Sequence, residues 1–179
     1  MKFYMKLQEW LAGPFSQKMQ KFMQNPYMHA LQVCFTIILP MIMVGSLASL
    51  VNTFRNFAPW LPDLSLINSF SFGLISIFMA FLIPYTIMES KKLQKQKMIT
   101  GFASVSALIA LANPQYVDGN LVINSGYVGT GGMTVAMVMG LVIGWLFSAY
   151  FKHGLFKKDS SLPSVVVVWF ESILIIFVL

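Results

Sequence analysis

Four uncharged runs dominate this chain: Ala30–Phe54, Leu64–Met88, Met98–Val117 and Gly119–Phe151. They hold 25, 25, 20 and 33 residues, and the last opens on a polar, glycine-rich stretch. A helix that crosses a bilayer needs about 20 residues at roughly 1.5 Å rise each. The runs predict helices over 30–52, 67–88, 98–112, 133–151 and 163–179. Pro40 and Pro84 fall inside the first two; within a membrane, neighbouring helices can satisfy the carbonyls that a proline frees. Asn113-Pro114 stops the third helix after about 22 Å, so its length alone allows it to cross or to dip in and return.

Ahead of these runs, Phe3, Leu7, Trp10, Leu11, Phe15, Met19, Phe22 and Met23 recur at steps of three and four. Lys2, Lys6, Gln17, Lys18, Gln20 and Lys21 lie between them. This predicts an amphipathic helix in the plane of the interface, bent at Gly13-Pro14. It would either orient the first span or dock a cytoplasmic partner. The expected fold class is therefore an all-α integral membrane protein, with an interfacial helix over 1–24 and a transmembrane domain of about five helices over 25–179.

Composition strengthens that expectation. Hydrophobic residues make up 57% of the chain and charged residues 10%, against roughly 25% charged in a typical soluble domain. The net charge of +6 would suggest nucleic acid in a soluble protein. Here the charges flank apolar runs, so anionic lipid headgroups and membrane topology account for them, and no nucleic acid is expected. Eleven of the twelve basic residues fall in three groups: Lys2, Lys6, Lys18 and Lys21; Lys91, Lys92, Lys95 and Lys97; Lys152, Lys157 and Lys158. Loops on the cytoplasmic side collect Lys and Arg. If the third helix crosses, all three groups share that side and the N-terminus is inside. The loops 55–63 and 113–132 then face out with only Arg55, Asp63 and Asp118. If it does not cross, the third group lies opposite the second. Charge therefore favours crossing. Cys34 stands alone, so no intrachain disulfide is possible, and no cleavable signal peptide is expected.

Chemistry-bearing patterns are sparse. There is no Walker loop, nucleophile motif or metal-ligand spacing, so neither a metal nor a cofactor is expected. His29 and His153 fall at predicted membrane edges, where interfacial roles suit them. Glu171 lies eight residues beyond Pro163, about 12 Å into a core about 30 Å thick. A charge there costs about 2.5–3.5 kcal/mol on insertion scales, so it should face protein or water or stay protonated. It is either a functional intramembrane site or a buried hydrogen-bond partner.

Small residues carry the remaining signals. In Tyr127-Val128-Gly129-Thr130-Gly131-Gly132 the glycines can bring backbone N–H groups to a helix start. Gly129, Thr130, Gly131 and Gly132 are thus candidate substrate-binding residues, a flexible connector being the plainer alternative. Gly132, Ala136, Gly140, Gly144 and Ser148 recur every four residues. In lipid, small residues let helix backbones approach closely, and this ladder marks a contact either within the chain or between two copies. Ala103, Ala107 and Ala110 form a shorter version suited to intramolecular packing.

Asn25-Pro26-Tyr27, followed by Leu39-Pro40-Met41 and Val44-Gly45-Ser46, resembles the opening of the sugar permease, component IIC, of the bacterial phosphotransferase system, lactose/cellobiose group. Gly101-Phe102-Ala103-Ser104-Val105-Ser106-Ala107 is similar to that family's small-residue third helix. Val128-Gly129-Thr130-Gly131-Gly132-Met133 is similar to its glycine turn, with Gly131 where a larger polar residue is common. Leu162-Pro163 and Phe170 are similar to the entry to its next span. Val168 stands where a basic or polar residue is expected, Ile175 where proline is expected, and Glu171 is atypical.

The resemblance covers essentially the whole chain but only the first half of such a permease. It implies disaccharide or β-glucoside uptake coupled to phosphorylation in a bacterial plasma membrane, a cytoplasmic IIB partner and a homodimer. The family's phosphorylation-site residues belong to its second half, so no catalytic residue carries over and the chain is expected to be inactive alone. A truncated membrane interaction or dimerisation protein that transports nothing is the alternative. A self-sufficient enzyme is disfavoured because paired acid–base residues are missing.

Overall fold

The computed structural model describes Trp10, Gly13 and residues 15–153. Among these residues the chain is mostly helical. In chain order it forms α1 (Ser16–Met23), α2 (Pro26–Phe54), α3 (Ser65–Ser71), α4 (Ile75–Ser90) and α5 (Lys97–Leu111). A short hairpin follows, β1 (Gln115–Val117) and β2 (Asn120–Val122), then α6 (Ser125–Val128), a 3-10 turn at Thr130–Gly132 and α7 (Met133–His153).

Local chemistry explains the helix ends. Asn25 is the N-cap of α2: its side chain accepts a hydrogen bond from the Tyr27 backbone N–H at 3.0 Å, and Pro26 occupies the first helical turn. That pairing supplies a missing acceptor and a pre-set φ. α4 ends in a Schellman turn. The Leu93 N–H donates to the Met88 carbonyl at 2.9 Å and the Lys92 N–H to Glu89 at 3.0 Å, with Lys92 at φ 62°. Asn113, at φ 49°, turns the chain out of α5 just before Pro114. At the start of α3, Asn52 and Asp63 accept the Leu64 and Ser65 N–H groups, each at 2.9 Å. Asp63 also pairs with Arg55 at 2.6 Å. The Ser65 hydrogen bonds, with Arg55 adding to them, hold its carboxyl down at about 2.

α4 is the central element. Its Ile75, Met79, Ala80, Ile83 and Ile87 are buried with Ala30, Cys34 and Ile38 of α2, Leu108 of α5 and Ala136 of α7. A second cluster joins Met88, Ala103, Ile143 and Phe147. Lys97, at the start of α5, pairs with Glu89 near the end of α4, and Phe102 packs on Phe81 further back, so α5 runs antiparallel to α4. Outward faces stay apolar: Ile37, Leu39, Met43, Leu47 and Leu50 of α2 and Val138, Val142 and Trp145 of α7 are exposed. A soluble monomer rarely exposes apolar surface on this scale. Three helical segments, Pro26–Phe54, Ser65–Ser90 and Thr130–Lys152, are long and apolar enough to cross a membrane.

Several expectations change. α2 and α7 extend the predicted 30–52 and 133–151. The predicted 67–88 helix is not continuous: it breaks between Ser71 and Ile75, where a Cβ on Gly73 would run into the Ser69 carbonyl. The predicted 98–112 helix forms as α5, yet at 15 residues it is shorter than the three long apolar segments. It still carries the chain to the end opposite the lysines, because Ala112 lines a cavity with Asn124 and Tyr127. The 113–132 loop contains an unpredicted hairpin. Of the interfacial helix over 1–24, Ser16–Met23 is described as helical, with Met19, Phe22 and Met23 exposed. The fifth predicted helix, 163–179, lies outside the described residues, as does Glu171.

Candidate functional site

The break between α3 and α4 and the break before α7 meet in space. The Ser76 hydroxyl, at the start of α4, donates to the Gly129 carbonyl at 2.5 Å and is fully buried. A Cβ on Gly129 would stand 3.3 Å from the Phe72 carbonyl and 3.5 Å from the Gly73 Cα. Glycine at 73 and 129 therefore lets two irregular backbone segments touch. Behind them, Gly45 of α2 lies so close to Ser71 and Phe72 that an added Cβ would come within 2.7 Å of the Ser71 Cβ.

An open cleft of about 310 Å³ sits at this meeting point. Its walls are Asn68, Ser69, Phe72 and Gly73 from the first break, and Ser125, Gly126, Gly129, Thr130 and Gly131 from the second. The chemistry is neutral and rich in hydrogen-bonding groups. The Asn68 Oδ1 is a buried acceptor without a hydrogen-bond partner among the described residues, and such an atom calls for a donor. Asn124 shapes the far wall: it caps α6 by accepting from the Gly126 N–H at 2.9 Å. Counting from Ser65, the first break lies about 12 Å along the helix, roughly a third of the length of the Ser65–Ser90 segment.

Three of the four glycine-turn residues singled out from sequence, Gly129, Thr130 and Gly131, line the cleft. Gly132 lies just beneath, buried beside the Ser76 hydroxyl. Asn68, Ser69, Gly73, Ser125 and Gly126 were not anticipated. Their signal was present as a small, polar interruption, Asn68-Ser69-Phe70-Ser71-Phe72-Gly73, at the front of an otherwise aliphatic run.

The small-residue ladder faces inward. Ala136 is fully buried in the cluster centred on α4. A Cβ on Gly140 would stand 3.0 Å from the Ile83 Cβ and 3.2 Å from the Pro84 Cδ. One on Gly144 would stand 3.3 Å from the Pro84 Cα. Gly132, Ala136, Gly140, Gly144 and Ser148 thus form the contact between α7 and the rest of the same chain. They offer no open face to a second copy.

At the opposite end of the bundle, the Lys91 ammonium donates to the Tyr27 and Ser148 hydroxyls, each at 2.7 Å. This joins the start of α2 and the ends of α4 and α7. His29 lies there too, its Nδ1 3.4 Å from the Ser90 hydroxyl. His153 is the last described residue of α7. Among the described residues no group of three metal-ligating side chains converges. Compared with protein-family models, curated proteins and solved structures, the chain matches none.

Proposed function

We propose that the chain is the membrane-embedded scaffold portion of a phosphotransferase-type sugar permease, and that the cleft between the two helix breaks forms part of the wall around the sugar. The observation that carries this reading is an open polar cleft where the break in one apolar segment meets the irregular, glycine-rich entry to another. Irregular backbone is tolerated at membrane depth where it lines a cavity, and interrupted helices commonly build solute sites in transporters. Amide and hydroxyl groups without charge suit a neutral polyhydroxylated solute. The resemblance of the glycine turn and its flanking residues to component IIC adds the substrate class: a disaccharide or β-glucoside.

In this reading the protein is multi-pass in a bacterial plasma membrane, with the lysine-rich end and N-terminus cytoplasmic and α1 in the interface. A IIB component would dock at the lysine-rich end. Because the small-residue ladder is occupied within the chain, a homodimer would use another surface.

Among the described residues that wall the cleft there is no acid or base. Phosphoryl transfer at the sugar would need groups from elsewhere. That observation favours, as a second reading, a membrane interaction protein that moves no sugar.

Titration of the purified chain with cellobiose and lactose, followed by calorimetry, separates the two. Binding is expected at millimolar strength or better, weakened about tenfold by Asn68→Leu or Thr130→Val through loss of a hydrogen bond. No phosphorylation is expected from the chain and IIB alone. An absence of binding to either sugar would favour the interaction protein.

A further inference from the structure

The lysine-rich end contains a cavity of its own, about 480 Å³, lined by Tyr27, Lys91, Leu93, Trp145, Ser148, Ala149 and Lys152. Two lysines and two hydroxyls meet there, and no carboxylate is among the lining residues. The half-buried Lys91 ammonium has three N–H donors. Among the described residues two are taken, both by neutral oxygens: Tyr27 and Ser148, each at 2.7 Å. The Tyr27 ring also lies beneath this ammonium, 4.6 Å from Nζ to the centroid. By contrast Lys97, a few residues on, pairs with Glu89 at 2.7 Å. A positive charge held in a partly desolvated cavity is stabilised by an anion. Among the described residues around it, none supplies one.

We propose that this cavity binds a phosphate group, carried either on a lipid headgroup or on a small soluble molecule. Several acceptor oxygens with negative charge complement a site made of donors: the remaining Lys91 N–H, the Tyr27 hydroxyl hydrogen and the Lys152 ammonium. Ser148 is not a free donor, since its hydroxyl donates to the Trp145 carbonyl at 2.9 Å. It fixes the Lys91 ammonium in place instead. The cavity opens beside the apolar face of α7 that carries Trp145, and basic pockets between helices at this level commonly take phosphate-bearing headgroups. The site lies at the other end of the bundle from the sugar cleft and does not depend on it.

The test is thermal unfolding of the full chain in neutral detergent at fixed ionic strength. Inorganic phosphate, phosphatidylglycerol and phosphatidylcholine are titrated separately. A raised midpoint with phosphatidylglycerol, but not with inorganic phosphate or phosphatidylcholine, assigns a lipid headgroup. A raised midpoint with inorganic phosphate as well assigns a soluble phosphate. In either case Lys91→Gln and Lys152→Gln weaken the apparent affinity about tenfold or more, whereas Lys92→Gln leaves it unchanged. Lys152 is exposed, so its variant keeps the fold intact even if Lys91→Gln does not. No shift with either anionic probe, or an undiminished shift in Lys152→Gln, overturns the proposal.

Discussion

At the scale of single residues, glycine and proline positions decide which surfaces can meet. Pro84 would weaken a helix in isolation, yet here it is buried on α4 and faces Gly140 and Gly144. The absent side chains on α7 make room for the ring and for the β-branched Ile83. Gly140→Ala forces a shift of these neighbours, because its Cβ would stand 3.0 Å from Ile83. It should destabilise the chain by about 1–3 kcal/mol. Thermal unfolding in detergent reads this, and an unchanged midpoint would show that Ile83 and Pro84 yield to the added methyl. The ladder itself was legible from its four-residue spacing. Its partner was not, because spacing gives the face of one helix and says nothing about what lies across from it.

Among the elements, the hairpin and the broken helix show opposite limits of pattern reading. Asp118 and Gly119, at φ 50° and 79°, make the tight turn between Val117 and Asn120. Both central residues at positive φ give the turn whose twist suits a two-residue hairpin, and Asp-Gly is a usual sequence for it. That signal was in the chain but lay inside a loop flanked by longer apolar runs. Gly119→Val should open the hairpin, since a β-branched residue resists positive φ. Hydrogen exchange should rise at residues 115–122 while the unfolding midpoint of the bundle stays put. Loss of the whole fold would mean the hairpin contributes more than its exposed strands suggest. The interruption at 72–74 is the reverse case. The chain marks it only by the small, polar stretch 68–73, and the close approach of Gly45, Gly73 and Gly129 to one another's segments exists only in three dimensions.

For the molecule as a whole, the contacts of Lys91 fix one relation that charge patterning had only implied. The start of α2, the end of α4 and the end of α7 lie together, so lysines from all three groups gather at one end of the bundle. Cysteine labelling tests what this means in a membrane. In a Cys34→Ala background, Asn120→Cys should react with an impermeant maleimide in intact cells. Gln24→Cys and Gln94→Cys should react only after permeabilisation. The reverse pattern would invert the proposed orientation, and a split between positions 24 and 94 would refute their shared side.

What the sequence by itself determined, within the described residues, is the apolar segments, their approximate ends and the small-residue face of α7. These follow from local properties: run length, capping residues such as Asn25-Pro26, and helical periodicity. The candidate cleft was half visible, through the glycine turn at 129–132. Its other wall came from Asn68, Ser69 and Gly73, more than fifty residues earlier in the chain. The same holds for the lysine pocket, where Tyr27, Lys91 and Ser148 meet across three helices. Only the tertiary structure decided these groupings, because a helix pattern records which side is apolar but not which partner covers it. The burial of α4 on nearly every side selects those partners, and both cavities follow from that arrangement.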